Sequence, residues 1–215
     1  MQIAKQHINF KNEDLVLTNH RAIYWEKENT LILSDLHIGK TAHFRKHGIP
    51  VPDDIFQKDL ERLKILINHF KAKTLLIVGD LFHAEANIDF NTFKFWLAQF
   101  EDLQIHLIKG NHDRVSKHLI TDFNIKLETE VKINELTFVH EHLKVHSNSF
   151  TISGHTHPGV MLKGKGKQRL KLPCYQVTKN QIVLPAFSLF TGLNTRSKPK
   201  DAISYAFTET SIFKF

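Results

Sequence analysis

The stretch LLIVGDLFH, residues 75–83, joins an apolar run fit for a buried strand directly to Gly79 and the carboxylate of Asp80. A short run such as Leu75-Leu76-Ile77-Val78, bounded by turn residues, reads as a strand covered on both faces. A carboxylate at the end of such a strand must find water or a cation, because an unpaired charge is costly to bury. Which of the two applies here decides the function.

The same arrangement recurs along the chain. Strand-like runs lie at TLILS (30–34), TLLIV (74–78), LQIHLI (103–108), ELTFV (135–139) and SFTIS (149–153). Between the first three lie helical patterns. In residues 53–70 the apolar Ile55, Leu60, Leu63, Ile67 and Phe70 fall mostly at helical spacing after Pro52, with Asp53 as N-cap. Residues 90–100 (FNTFKFWLAQF) suggest a second helix. Strand, helix, strand, helix, strand implies right-handed crossovers in a parallel or mixed sheet. After about residue 125 short strands take over. In KGKGKQRLKLPCYQV the basic residues Lys163, Lys165, Lys167, Arg169 and Lys171 alternate at period two, so a strand here would carry one wholly basic face.

The 215 residues, 41% of them apolar, suffice for one substantial core, and no repeat or linker divides the chain. We therefore expect a single domain over residues 1–215. Lys and Arg number 29 against 22 Asp and Glu, a net charge of +7 that attracts polyanions. The lone Cys174 excludes an internal disulfide and a thiolate zinc site, which fits a reducing cytoplasm. No apolar run is long enough to span a membrane, and the N-terminus lacks a signal-peptide core. The unusual count is fifteen histidines.

Many of those histidines stand where strands end. LILS runs into Asp35-Leu36-His37, LLIV into Gly79-Asp80 and His83, and IHLIK into Gly110-Asn111-His112-Asp113. LTFV ends in His140, and FTIS in Gly154-His155-Thr156-His157. Ligands of open α/β sheets bind at the carboxyl ends of the strands, so five segments deliver polar residues to one rim. Carboxylate and amide oxygens with imidazole nitrogens, and no thiolate, suit hard-to-borderline divalent metals. A D-x-H or H-x-H pair on extended backbone points both side chains to one side, and the two oxygens of Asp80 can bridge two ions. A single D-x-H or G-N-H-D is an ordinary turn or helix cap; all of them together, in order and each at a strand end, point to a metal centre.

In that order, D-x-H, G-D, G-N-H-D, H and G-H-x-H from Asp35 to His157 resemble the calcineurin-like metallophosphoesterases. The resemblance implies an α/β fold, a four-layer αββα sandwich of two mixed β-sheets flanked by helices, with two divalent metal ions. Asp35, His37 and His157 would hold the first ion with Asp80, and Asp80, Asn111, His140 and His155 the second. In VHEH both His140 and His142 are available; His140 is preferred because it ends the strand. His112 would contact the scissile phosphate and protonate the leaving oxygen, with Asp113 orienting it. The spelling GDLFH, together with DLHIG, is similar to the SbcD-type nucleases, which would bring His83 to the substrate phosphate.

RAIYWEKENTLILSDLHIGKTAHFRKHGIPVP, GHTHP, KLPCYQV and LPAFSLFTG resemble the bacterial ligase-associated DNA damage response endonucleases of the PdeM family. Leu193 stands where members of that family usually have a second glycine. The resemblance implies Mn²⁺, with Fe or Zn as other possibilities, and an endonuclease acting on single-stranded DNA in repair. It also implies an ATP-dependent DNA ligase, an exonuclease and a helicase as partners. Lys40 and Arg45 after the first motif, and Lys163, Lys165, Lys167, Arg169 and Lys171 after the last, would hold phosphates. Phe44 beside Arg45 is placed to stack on an unpaired base or to pack in the core. A phosphatase or pyrophosphatase of small nucleotide or lipid-precursor substrates is the competing reading. A scaffold that kept the fold without catalysis is a third, disfavoured because every ligand position is filled.

Overall fold

The computed structural model describes residues 1–52, 54–83, 87–113, 117–141 and 149–215, and only the backbone of Lys117 and His118. Strands β1 (Lys5–Phe10), β2 (Glu13–Thr18) and β3 (Ile23–Trp25) form an antiparallel meander that leads into β4 (Thr30–Leu33). Helices α1 (Lys40–Lys46) and α2 (Ile55–Phe70) then lead to β5 (Thr74–Val78), α3 (Ile88–Leu97) to β6 (Gln104–Ile108), and α4 (Lys117–Asp122) to β7 (Ile125–Glu128). Strands β4, β5, β6 and β7 lie parallel and in sequence order, as helical crossovers require.

The second sheet is built from β8 (Val131–Ile133), β9 (Leu136–Phe138), β10 (Phe150–Ser153), β11 (Gly159–Lys163), β12 (Arg169–Val177), β13 (Gln181–Val183), β14 (Ile203–Phe207) and β15 (Ile212–Lys214). Its order is β15-β14-β12-β13-β10-β9-β8, with β11 paired to the first half of β12. Both sheets are mixed, and helices flank the sandwich.

Strand periodicity explains the opening run. Leu75 and Ile77 of β5, like Leu31 and Leu33 of β4, join the cluster shared with Phe56, Leu60 and Leu63 of α2 and Phe93 of α3. Leu76 and Val78, like Ile32, face the other way, onto Phe138, Ile152, Ile182 and Phe207 of the second sheet. Both faces are covered, so the strand is apolar throughout. Tyr175 ties the sheets together: fully buried on β12, it donates its hydroxyl to the carbonyls of Thr18 (2.8 Å) and Ala22 (2.9 Å) at the β2–β3 turn.

Two local expectations change. The helix placed over 90–100 runs Ile88–Leu97, begun by Asn87, whose side chain accepts from the Asp89 amide at 3.0 Å. Asp53 lies outside the described residues, and α2 begins after Asp54. The basic stretch 163–171 is not one strand with a basic face. Lys163 ends β11 and Arg169 begins β12 as its cross-strand partner, so Lys165 and Lys167 sit in the turn of an exposed hairpin.

Tyr175→Phe preserves the ring and removes the donor shared by the Thr18 and Ala22 carbonyls, of which Ala22 keeps the Thr18 amide and hydroxyl. Urea denaturation should show a loss of about 1–2 kcal/mol.

Candidate metal centre

The parallel pairing of β4 and β5 continues past the strand ends. The amides of Asp35, His37 and Ile38 donate to the carbonyls of Gly79 (3.0 Å), Asp80 (3.0 Å) and Leu81 (2.8 Å), and the His83 amide returns to Ile38 at 2.8 Å. The D-x-H and G-D segments thus travel side by side, which sets their carboxylates and imidazoles next to each other. Glycine is required at two of the junctions. A Cβ on Gly79 would collide with the His140 imidazole, and one on Gly110 with the Asp80 carboxylate.

Two donor groups result. Ligand atoms of Asp35, His37 and His157 lie within 4.8 Å of one another, and so do those of Asp80, His140 and His155. The Asn111 Oδ1 stands 3.1 Å from His140 Nε2 and 3.0 Å from His155 Nδ1, which puts it with the second group. Five of these residues have left-handed backbone: Asp35 (φ 57°), His37 (53°), Asp80 (51°), His155 (69°) and His157 (49°). Such conformations cost on the order of 1–3 kcal/mol each and persist only where the surroundings enforce them. His142 lies outside the described residues.

The electrostatics fit cations. Burial works against ionisation of Asp35 and Asp80, yet both are held below the usual carboxylate range, Asp35 by the His157 hydrogen bond and charge and Asp80 by those of His140. His140 is held upward against its burial by Asp80 and Asp35, while its Nδ1–H donates to the Val78 carbonyl at 3.0 Å and so directs Nε2 at the site. Burial, aided by Lys40, drives His37 down to about 3, leaving it neutral with its lone pair free. Both His37 ring nitrogens are buried, and neither has a hydrogen-bond partner among the described residues. An orphaned neutral imidazole beside two ionised buried carboxylates fits a divalent cation, and the donor set fits two.

His112 is exposed, its ring 5.7 Å from that of His37 and 4.9 Å from that of His83. Burial, followed by the charge of Lys40, lowers His83 to about 4, so it is neutral at neutral pH. Lys40 opens α1; burial lowers its pKa, while the charges of Asp35 and Asp80 act to raise it.

Three expected roles look different in the structure. Asp113 does not bond the His112 ring. Its Oδ2 accepts from the amides of Asp80 (2.9 Å) and Gly110 (2.7 Å) and its Oδ1 from Phe82 (2.9 Å), so it clamps the β5 and β6 loops together. Burial, against the pull of those amides, pushes its pKa up to about 6. Arg45 is engaged with Asp89 at 3.9 Å, and Asp89 also accepts from Thr41 Oγ1 (2.9 Å) and the Ala42 amide (3.2 Å), so this cluster fastens α1 to α3. The basic residues stand on a hairpin arm that begins two residues after His157, and four residue steps, about 13 Å, separate Gly159 from Lys163.

One feature was not anticipated from the sequence, a strap formed by residues 185–189. The amides of Phe187 and Ser188 donate to the carbonyls of Ser34 (2.8 Å) and Asp35 (3.1 Å), fixing the first ligand from behind. Arg21 Nη1 donates to the carbonyls of Ala186 and Ser188, both at 2.9 Å; Arg62 donates to that of Phe187; and Asp59 accepts from the Leu189 amide at 3.1 Å. A second turn supports His157: its carbonyl accepts from the Asn194 amide at 2.9 Å, and Leu193 packs against Gly159.

The sandwich and the paired donor groups at its strand ends define the metallophosphoesterase class, and the site is that of a metal-dependent phosphoesterase. Among solved structures, a nuclease MPE from Pseudomonas putida superposes with a TM-score of 0.83 and 28% identity, covering 98% of this chain and 100% of that one. YfcE, a phosphoesterase from E. coli, matches with a TM-score of 0.43 and 16% identity over 84% of this chain and 88% of that one. No protein-family profile matches the chain, and no curated protein sequence is significantly similar to it.

Adding Mn²⁺ to chelator-stripped protein should raise its melting temperature. At 100 times the Kd the gain is about 2.7 kcal/mol, or roughly 5–10 °C for a chain of this size. Asp80→Asn should remove most of that gain, and Arg21→Ala, which frees the strap behind Asp35, should reduce it. Scanning calorimetry with and without the ion checks both.

Proposed function

We propose that this chain is a dinuclear-metal phosphodiesterase that cuts single-stranded DNA endonucleolytically during repair. The observation that carries the reading is the pair of adjacent donor groups with the solvent-facing His112 beside them. The full-length likeness to a protein described as a nuclease favours nucleic acid over a small ester. Asp35, His37 and His157 would hold one ion and Asp80, Asn111, His140 and His155 the other, with Mn²⁺ our assignment. Ions held there would supply neutralisation of phosphodiester charge and a water acidic enough to ionise near neutral pH.

The chain's own residues do the remainder. His112, exposed and adjoining the first donor group, delivers the proton to the leaving oxygen. His83, neutral at neutral pH, hydrogen-bonds a phosphate oxygen without adding charge. Lys40 pairs with a phosphate beside the scissile one. Farther out, Lys163, Lys165, Lys167, Arg169 and Lys171 give the hairpin a phosphate-binding track whose contribution falls with salt. All these contacts are to backbone phosphate, so cleavage shows little sequence preference. The setting is cytoplasmic, in keeping with a single buried Cys174 whose thiol is pushed up to about 12 by burial. Among the described residues no helix is long and apolar enough to cross a membrane. An ATP-dependent DNA ligase, an exonuclease and a helicase are the proposed partners.

The test is Mn²⁺-dependent cleavage of circular single-stranded DNA by purified protein, with a small phosphomonoester run in parallel. We expect the circle to be cut, His112→Ala to slow cutting by about 10²- to 10⁴-fold, and Asp80→Asn to be inactive. Hydrolysis of the small ester alone would transfer the site to the phosphatases.

A further inference from the structure

A file of aromatic rings leads outward from His112. The His83 ring lies 4.9 Å from it, the Phe44 ring of α1 6.5 Å from His83, and the Phe190 ring 5.4 Å from Phe44 at an interplanar angle of 87°. Phe190 ends the file. It is half-buried just beyond the strap, its amide donates to Ser188 Oγ at 3.1 Å, and the preceding Leu189 is 43% exposed. The Lys40 ammonium lies 5.9 Å from the centre of the Phe190 ring while also sensing Asp35 and Asp80. Lys40 follows the ligand His37 by three residues, so the first ligand loop leads directly to this ring.

We propose that Phe190, backed by Phe44 and flanked by Lys40, seats one nucleobase of the strand whose phosphodiester lies at the metal centre. The inference rests on the phosphodiesterase reading and deepens it, because a seat of this kind selects a strand with an unpaired base at one position. A base inside a duplex has both faces covered by its neighbours, so only an unstacked base lays a face on a protein ring. Phe44 meets Phe190 perpendicularly, not in a stack, and the Lys40 contact is at the outer limit for a cation over a ring, so a phosphate arriving at Lys40 draws the ammonium off easily. Every base has a π-face, so the seat reads the absence of pairing and not sequence. Both rings are anchored from behind: Phe44 through the Asp89 cluster that holds α1, and Phe190 through the strap bound by Arg21, Arg62 and Asp59.

A single abasic site, moved one position at a time along a single-stranded oligonucleotide of fixed sequence, tests this with Mn²⁺ and kcat/KM as readout. The unmodified protein should lose on the order of tenfold when the missing base falls at one register relative to the scissile bond, and little elsewhere. In Phe190→Ala the ratio of intact to abasic strand at that register should collapse towards one, and Phe190→Trp should restore it. The ratio compares two substrates on one protein, so a general loss of activity in a variant does not affect it. Phe44→Ala offers a second variant in which the ratio should shrink. A flat abasic scan, or an unchanged ratio in Phe190→Ala, overturns the base seat. Methyl p-nitrophenyl phosphate separates the two failures: if the unmodified protein hydrolyses it and cuts oligonucleotides with a flat scan, only the seat falls. If it hydrolyses neither, the phosphodiesterase reading falls and the seat with it.

Discussion

Two carboxylates, Asp35 and Asp80, sit at 0% and 1% exposure at the ends of neighbouring strands, and the architecture of the rim follows from keeping both ionised there. Burial opposes the charge on each. Local hydrogen bonds answer part of the demand: the His155 amide donates to Asp35 Oδ2 at 3.1 Å and the His112 amide to Asp80 Oδ1 at 2.9 Å. Those amides belong to the two loops that also supply His157 and Asn111. Each carboxylate therefore recruits the segment carrying its co-ligands, and the donor groups assemble as a by-product of satisfying a buried charge. The remaining negative charge is what a pair of cations would neutralise.

That assembly bends the backbone unfavourably at five donor residues, so something outside must hold it. The holding groups are themselves charged, and all but the half-buried Arg21 are buried. Asp113 gathers three amides from two loops, and Arg21, Arg62 and Asp59 gather the strap that fixes the Ser34 and Asp35 carbonyls. A charged group bonded to several main-chain atoms is a stiffer restraint than a surface ion pair, because its desolvation is tolerated only while every bond is made. Left-handed ligands are the strained part of the rim and these clamps the part that resists.

The division between what the sequence made legible and what it did not follows the range of the interactions. The five strands and the polar residues ending them could be read because period-two burial and strand-end placement are local rules. The sandwich emerged only from the resemblance. Strands of three or four residues such as β9 and β10 carry little pattern of their own, and β12 spends its two halves on different partners. The basic stretch misled because alternation at period two survives a turn: Gly164 and Gly166 reverse the chain and leave Lys163 facing Arg169. The Asp113 role came from the resemblance and the Arg45 role from its place after the first motif, whereas their oxygens and nitrogens are directed at main chain and at Asp89. Arg21 and Phe190 fall in stretches that carry the family resemblance, yet neither they nor Arg62 revealed a role, since their importance lies in contacts across more than 100 residues.

The same geometry locates discrimination away from the chemistry. The ligand atoms of each donor group converge within 4.8 Å of one another, so these side chains are engaged with each other and selection of a substrate falls to their neighbours. Among the described residues those neighbours include His83, which follows β5, Lys40 and Phe44 of α1, and Phe190 just after the strap. Of these carriers, α1 and the segment after the strap are fastened to the frame by Asp89 and by Asp59, each bonded to main-chain amides outside the donor groups. On the base-seat proposal, substitutions in α1 or at residues 189–190 change substrate selection while the strained ligand loops stay as they are. Substitutions in the clamps act on both at once, because the strap that steadies Asp35 is continuous with the backbone that presents Phe190.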